Sequence, residues 1–318
     1  MSRLLAAAVL LAAAGYALSQ GPPPPRTHTV TQKGELTLRP ANQRPPAENR
    51  VSIEVQGDHR VLTANGIPAH AVGQFPGRGN PNRITEQRHR VRLPLNPKVN
   101  ETPTPFRHTF GYALNGVPFE PGAGEFFATD RRWQYEPLSG AINLGIDMSH
   151  AHVQPTGKYH YHGLPTGLLE TIDLKAGSHS PLVGWAGDGF PIYALYGHAD
   201  PDDAASEVTT LRSSYRLKPG NRPGGTAPGG VHDGTFVNDY EFAAGSGDLD
   251  ECNGRVCVTP DFPDGTYAYF LTEEWPVISR MWRGTPSEDM SEGGGMRGGP
   301  GTRGGPPGRF PPPRRRPR

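Results

Sequence analysis

The stretch His150-Ala151-His152-Val153-Gln154-Pro155-Thr156-Gly157-Lys158-Tyr159-His160-Tyr161-His162 reads as a β-hairpin. Pro155 supplies a φ of about −65° where the loop begins, and Gly157 sits where a short hairpin loop needs a left-handed residue. Pairing Gln154 with Lys158 then sets His152 opposite His160 and His150 opposite His162. Side chains alternate along a strand, so the four imidazoles share one face and Tyr159 and Tyr161 take the other.

The hairpin has a counterpart later in the chain. Pro155-Thr156-Gly157-Lys158-Tyr159-His160-Tyr161-His162 parallels Pro263-Asp264-Gly265-Thr266-Tyr267-Ala268-Tyr269-Phe270, and Asp147 to His152 parallels Asp250 to Arg255. Upstream, Gly111-Tyr112-Ala113-Leu114-Asn115-Gly116-Val117-Pro118-Phe119 matches Gly184-Trp185-Ala186-Gly187-Asp188-Gly189-Phe190-Pro191-Ile192 in order. These matches indicate an internal duplication, with half-units near 95–170 and 180–285. Both copies keep the Pro-x-Gly turn and the two tyrosines, which assigns those residues to shape and burial. Imidazoles stand only in the first copy. Ala268 and Phe270 at the matching positions imply that this face is partly covered, with the His face lining a pocket between the halves.

Around these half-units the composition changes. Residues 1–19 carry Arg3 and then an Ala/Leu-rich run ending in Ala17-Leu18-Ser19, the pattern of a cleaved signal peptide, and no Cys follows as a lipid anchor would need. A periplasmic or secreted protein is expected, with no membrane span. Residues 20–49 are Pro-rich and polar and read as a linker. Residues 287–318 read as a disordered Gly/Pro/Arg tail. The formal net charge of +1 becomes −6 once the seven arginines of Gly293–Arg318 are set aside, so basic character is confined to the tail. No nucleic-acid partner is expected of an exported chain, and an anionic cell-envelope polymer is the partner those arginines suit.

Residues 50–286 are long enough for a sizeable core and show no sustained helical periodicity. Val51 to Val55, Arg90 to Leu95 and Thr266 to Leu271 alternate or are rich in β-formers, so the fold class is mostly β: two related β-rich half-units packed as one domain. Ala204 to Leu211 reads as a helical turn or two, and Arg216 to Gly230 as a surface loop. Cys252 and Cys257, close together in an exported chain, are expected to form a disulfide.

His150, His152, His160 and His162 are the candidate metal ligands. Opposed and alternate strand positions bring three or four imidazoles within reach of one ion at about 2.0 to 2.1 Å, and an all-His set suits Cu or Zn. Asp147 and Asp188 are candidates for carboxylates that orient an imidazole from outside the ligand set, and Met148 for a soft ligand. Two other readings of the cluster stand: a polar network that bonds backbone carbonyls, and acid/base chemistry without metal. The chain has no His-Glu-x-x-His, no phosphate-binding Gly-rich loop and no Gly-x-Ser-x-Gly elbow, which leaves zincin, nucleotide and serine-hydrolase chemistry without support. Trp275 and Trp282 read as core, with a sugar-stacking surface as the alternative.

The Tyr-His-Tyr-His run, the segment Ala113 to Phe119 and the segment Gly187 to Tyr193 resemble the YHYH domain family of exported bacterial proteins, over about Leu93 to Gly284. Members of that family often carry an Asp-x-Cys-x-Gly-His segment before the motif; here the first copy has Ser149 and His150 in that stretch, the second has Cys252 and Arg255, and neither copy fits fully. The resemblance implies no settled activity. The reading that follows is an exported protein holding Cu or Zn on a His-bearing hairpin, reaction unassigned. The alternative is a non-enzymatic envelope module for polysaccharide or protein.

Overall fold

The structure, a computed structural model, describes residues 27–106 and 108–290. The expected signal peptide, the first part of the expected linker and residues 291–318 of the expected tail lie outside the described residues.

The chain begins its sheets with a meander of β1 (Val51–Gln56), β2 (His59–Ala64) and β3 (His89–Pro94), followed by β4 (Val99–Pro105). The first copy of the duplication forms β5 (Gly111–Ala113), β6 (Pro118–Phe119), β7 (Ala151–Val153) and β8 (Tyr159–Tyr161), then the short helix α1 (Thr166–Thr171). The second copy forms β9 (Gly184–Ala186) and β10 (Pro191–Ala194). Two small antiparallel pairs interrupt it: β11 (Tyr196–His198) with β12 (Val208–Thr210), and β13 (Tyr215–Leu217) with β14 (Tyr240–Phe242). It resumes with β15 (Gly254–Thr259) and β16 (Phe262–Leu271), and β17 (Met281–Gly284) returns to pair with β4.

One sheet contains the duplication. Its order is β15-β16-β10-β9-β5-β6-β8-β7, and it reads the same from both edges once each strand is replaced by its repeat partner. The outer hairpins are antiparallel, β8 runs parallel to β6 as β16 does to β10, and the centre is an antiparallel pair with Tyr112 opposite Trp185. An antiparallel pair has a local two-fold axis perpendicular to the sheet, so matching faces of the two halves lie on the same side. The strands at this axis run close together. A Cβ on Gly111 would come 2.4 Å from the Trp185 carbonyl oxygen, and one on Gly184 would come 2.4 Å from that of Tyr112, which explains glycine at both positions.

One face of this sheet, with Tyr159, Tyr161, Tyr267 and Tyr269, packs on Leu62, Val91 and Leu93 of the β1–β3 sheet to form the main core. The opposite face is also covered: in the second half Tyr193, Ala268, Phe270 and Cys257 form a separate cluster. A sheet buried on both faces reads as continuous apolar runs, as Tyr267 to Leu271 do, all of them buried.

Several expectations are corrected. Residues 27–49 are not a free linker: Arg39 N–H donates to the Ile146 carbonyl at 2.9 Å, and Gln43 and Val72 exchange two backbone hydrogen bonds. Residues 287–290 belong to the domain, because Met290 is buried in the main core and Asp289 pairs with Arg92 at 3.1 Å. Residues 204–211 contain no helix; Val208–Thr210 is drawn into strand pairing with β11 instead. Cys252 and Cys257 are free thiols. Cys252 lies in the main core and Cys257 in the cluster on the other side of the sheet, so the sheet itself separates them.

Candidate metal centre

The hairpin turn is built as its residues dictate. Gly157, at φ 84°, donates its N–H to the Gln154 carbonyl at 2.8 Å, and Gln154 N–H donates to the Lys158 carbonyl at 2.9 Å. This register places His152 directly opposite His160, and alternation puts His162 on the same face.

The three rings meet. Centroids of His152 lie 4.7 Å from those of His160 and His162, and the latter two are 4.6 Å apart. One ligating nitrogen from each residue falls within a 4.8 Å group, formed by His152, His160 and His162. His152 Nδ1 bonds the Leu144 carbonyl at 2.9 Å and His160 Nδ1 the Lys158 carbonyl at 3.2 Å. Both rings therefore carry their proton on Nδ1 and leave Nε2 as a lone pair, the arrangement that backbone acceptors impose on ligating histidines. His160 Nε2 lies 3.0 Å from His162 Nε2, so His162 is the donor between them. That leaves His162 Nδ1 as a buried lone pair outside hydrogen-bond geometry with any group, although the Glu120 backbone beside it acts to raise the ring's pKa.

The electrostatics keep these rings neutral. Burial is the largest cause lowering all three pKa values; for His160 and His162 neighbouring imidazoles add to it, as does Lys158 for His160 and Arg280 for His162. Neutral imidazole is the ligating form, so the surroundings that disfavour a proton leave the nitrogens available to a metal.

His150 is not brought into the group. Its backbone is left-handed, at φ 52°, which ends the strand alternation, and its Nδ1 bonds the Leu164 carbonyl at 2.8 Å. Met148 is exposed and supplies no ligand to the rings. Asp147 faces the other side of the hairpin: it accepts from Tyr159 Oη at 2.8 Å and from the N–H of Gly73 at 2.9 Å and Ser149 at 3.0 Å. Asp188 accepts from Tyr269 Oη at 2.5 Å and Gly284 N–H at 2.8 Å. Both carboxylates anchor tyrosines and touch no imidazole of the triad, because they share the tyrosine face of the sheet. The second hairpin does not face the rings: the two-fold axis carries it to the far edge of the sheet, and the groups bonded to the rings, Leu144 and Lys158, belong to the first half, while the charge of Arg280 from the second half acts on His162.

Two residues that the motif did not single out lie beside the rings. Glu120 Oε2 is 4.0 Å from His160 Nε2, and Lys158 Nζ pairs with Glu120 Oε1. The signal for Glu120 was positional. It follows the repeated Pro-apolar pair of β6 and matches Tyr193, so a charged group stands where the other copy has a buried aromatic.

Of the two tryptophans near the end of the second copy, Trp282 is core and Trp275 is half-buried. Trp282 is buried against Phe110, and Trp275 is stacked on Tyr240 with centroids 4.3 Å apart.

Among the described residues no helix is long and apolar enough to cross a membrane. No curated protein and no solved structure matches the chain. A family model described as YHYH protein matches residues 90–284, which takes in both halves of the duplication. The chain belongs to the YHYH family.

Proposed function

We propose that this YHYH protein is exported to the periplasm or beyond the cell and binds one transition-metal ion, Cu or Zn, through His152, His160 and His162. The observation that carries the reading is the convergence of three imidazole nitrogens within 4.8 Å in buried surroundings, with two rings fixed from behind by backbone carbonyls. Neutral nitrogen donors suit both metals, and an ion would replace the proton shared between His160 and His162. The seven tail arginines are assigned to an anionic envelope polymer on charge alone.

A second reading is favoured by one contact. The His160–His162 hydrogen bond at 3.0 Å satisfies two nitrogens without a metal, as a structural His network in an envelope-binding module would. Elemental analysis of the mature protein purified without a His tag separates the two, beside a His160→Ala/His162→Ala variant. About one Cu or Zn per chain, lost in the variant, supports the metal reading. No metal in either protein after reconstitution, with a variant that is only less stable, makes the histidines structural.

A further inference from the structure

We infer that Glu120 is the anionic fourth ligand of the His triad, which favours a divalent ion over a monovalent one, and that Lys158 competes with the metal for this carboxylate and moderates that preference. This rests on the metal reading above and names the class of ion.

The backbone places Glu120 on the triad side of the sheet. Phe119 pairs in parallel with Tyr161, both turned to the main core, so the next residue faces the rings, and Glu120 N–H donates to the Tyr161 carbonyl at 2.8 Å. The carboxylate is buried, with Oε2 4.0 Å from His160 Nε2. It is held by Thr109 Oγ1 at 2.7 Å, by Gln154 Nε2 at 2.6 Å and by Lys158 Nζ. A buried charge requires compensation, and Lys158 is the cation that supplies it.

The duplication provides an independent observation. In the second half Arg255, Ala268 and Phe270 replace the three histidines, and there Tyr193 stands for Glu120 and Thr266 for Lys158. The carboxylate and the ammonium are present where the imidazoles are present and missing where they are missing. Residues serving only the hairpin's shape, such as the two tyrosines and the turn glycine, stand in both halves.

Charge then decides the ion. Three neutral imidazoles alone would leave two positive charges uncompensated around a buried dication, whereas a monovalent copper ion needs less compensation. Glu120 reduces the charge of a bound dication by one and adds an oxygen donor, which suits Zn(II) and other divalent ions better than soft Cu(I). Lys158, on the same carboxylate, opposes a cation arriving there and so lowers divalent affinity.

The test is chelator-competition titration of the full chain with Zn(II), and separately with Cu(I), on wild type, Glu120→Gln and Lys158→Met, with thermal unfolding as a check on folding. The expected result is a loss of about tenfold or more in Zn(II) affinity for Glu120→Gln with Cu(I) affinity unchanged, and tighter Zn(II) binding by Lys158→Met. A purely structural role for Lys158 would weaken both ions. Zn(II) affinity unchanged in Glu120→Gln, or lowered in Lys158→Met, overturns the inference while leaving the triad as a metal site. Wild type that binds neither ion overturns the metal reading and this inference with it.

Discussion

His150 and Asn253 hold the same place in the two halves, at φ 52° and 54°, and each carbonyl accepts a backbone N–H from the facing strand, from His162 at 2.7 Å and from Phe270 at 3.0 Å. Asparagine tolerates the left-handed region and histidine is also found there, so the turn constrains this position in both copies. His150→Asn is therefore expected to fold within about 1 kcal/mol of wild type and, on the proposed metal reading, to bind metal as wild type does. On the same reading His152→Ala should lose metal binding. Parallel metal titrations check both, and loss of metal in His150→Asn would restore it as a ligand.

The hydroxyls of Tyr159 and Tyr267 donate to Asp147 and Asp250, the matching acids of the two copies, at 2.8 and 2.9 Å. Asp147 is fully buried, whereas the side chain of Asp250 is 26% exposed. Removing the donor takes one hydrogen bond from each carboxylate, and water can replace it at Asp250 but not at buried Asp147, which is left with its backbone N–H donors. Tyr159→Phe should cost about 1–3 kcal/mol and Tyr267→Phe less, as measured by urea unfolding. Equal costs would mean that exposure does not set the difference.

Acid should destabilise the fold as the pH falls below neutrality. Burial, chiefly, lowers the His89 pKa from 6.5 to about 4, and burial also lowers those of His70, His152, His160, His162 and His179. As pH falls from 6.5 toward 4 the unfolded chain takes up a proton at His89 that the folded chain refuses. Stability is then lost at up to about 1.4 kcal/mol per pH unit for each such group. Asp147, Asp188 and Asp250 act oppositely: burial raises the pKa of all three, that of Asp188 from 3.8 to about 6, so at these acids the folded state gains the proton first as pH falls. The six histidines outnumber these three acids, and the urea midpoint should fall between pH 7.5 and 5. His89→Gln should flatten that slope; an unchanged slope would show that His89 is protonated in the fold.

Both thiols should alkylate after denaturation without reductant, and neither should react quickly in the native protein. Cys252 and Cys257 are buried on opposite sides of the sheet, and burial pushes both thiols up, so little reactive thiolate is present. Intact mass after iodoacetamide treatment distinguishes this from a disulfide, which would leave the denatured chain unmodified.

The hairpin, its register, the shared face of His152, His160 and His162, and the duplication were legible in the sequence because they depend on local chemistry. Proline and glycine set the turn, alternation sets the face, and the repeated segments carry their own alignment. Tertiary structure decided what those segments meet. The two-fold axis between Tyr112 and Trp185 sends the hairpins to opposite edges of one sheet, so the His face of the first hairpin does not meet the second hairpin. One left-handed residue removes His150 from the group, and the sheet separates two cysteines that are neighbours in the chain. Parallel pairing of β6 with β8 brings Glu120 beside the rings from many residues away. Periodicity within a strand reports which way a side chain points, while the identity of its neighbours depends on strand order, which non-local pairing determines.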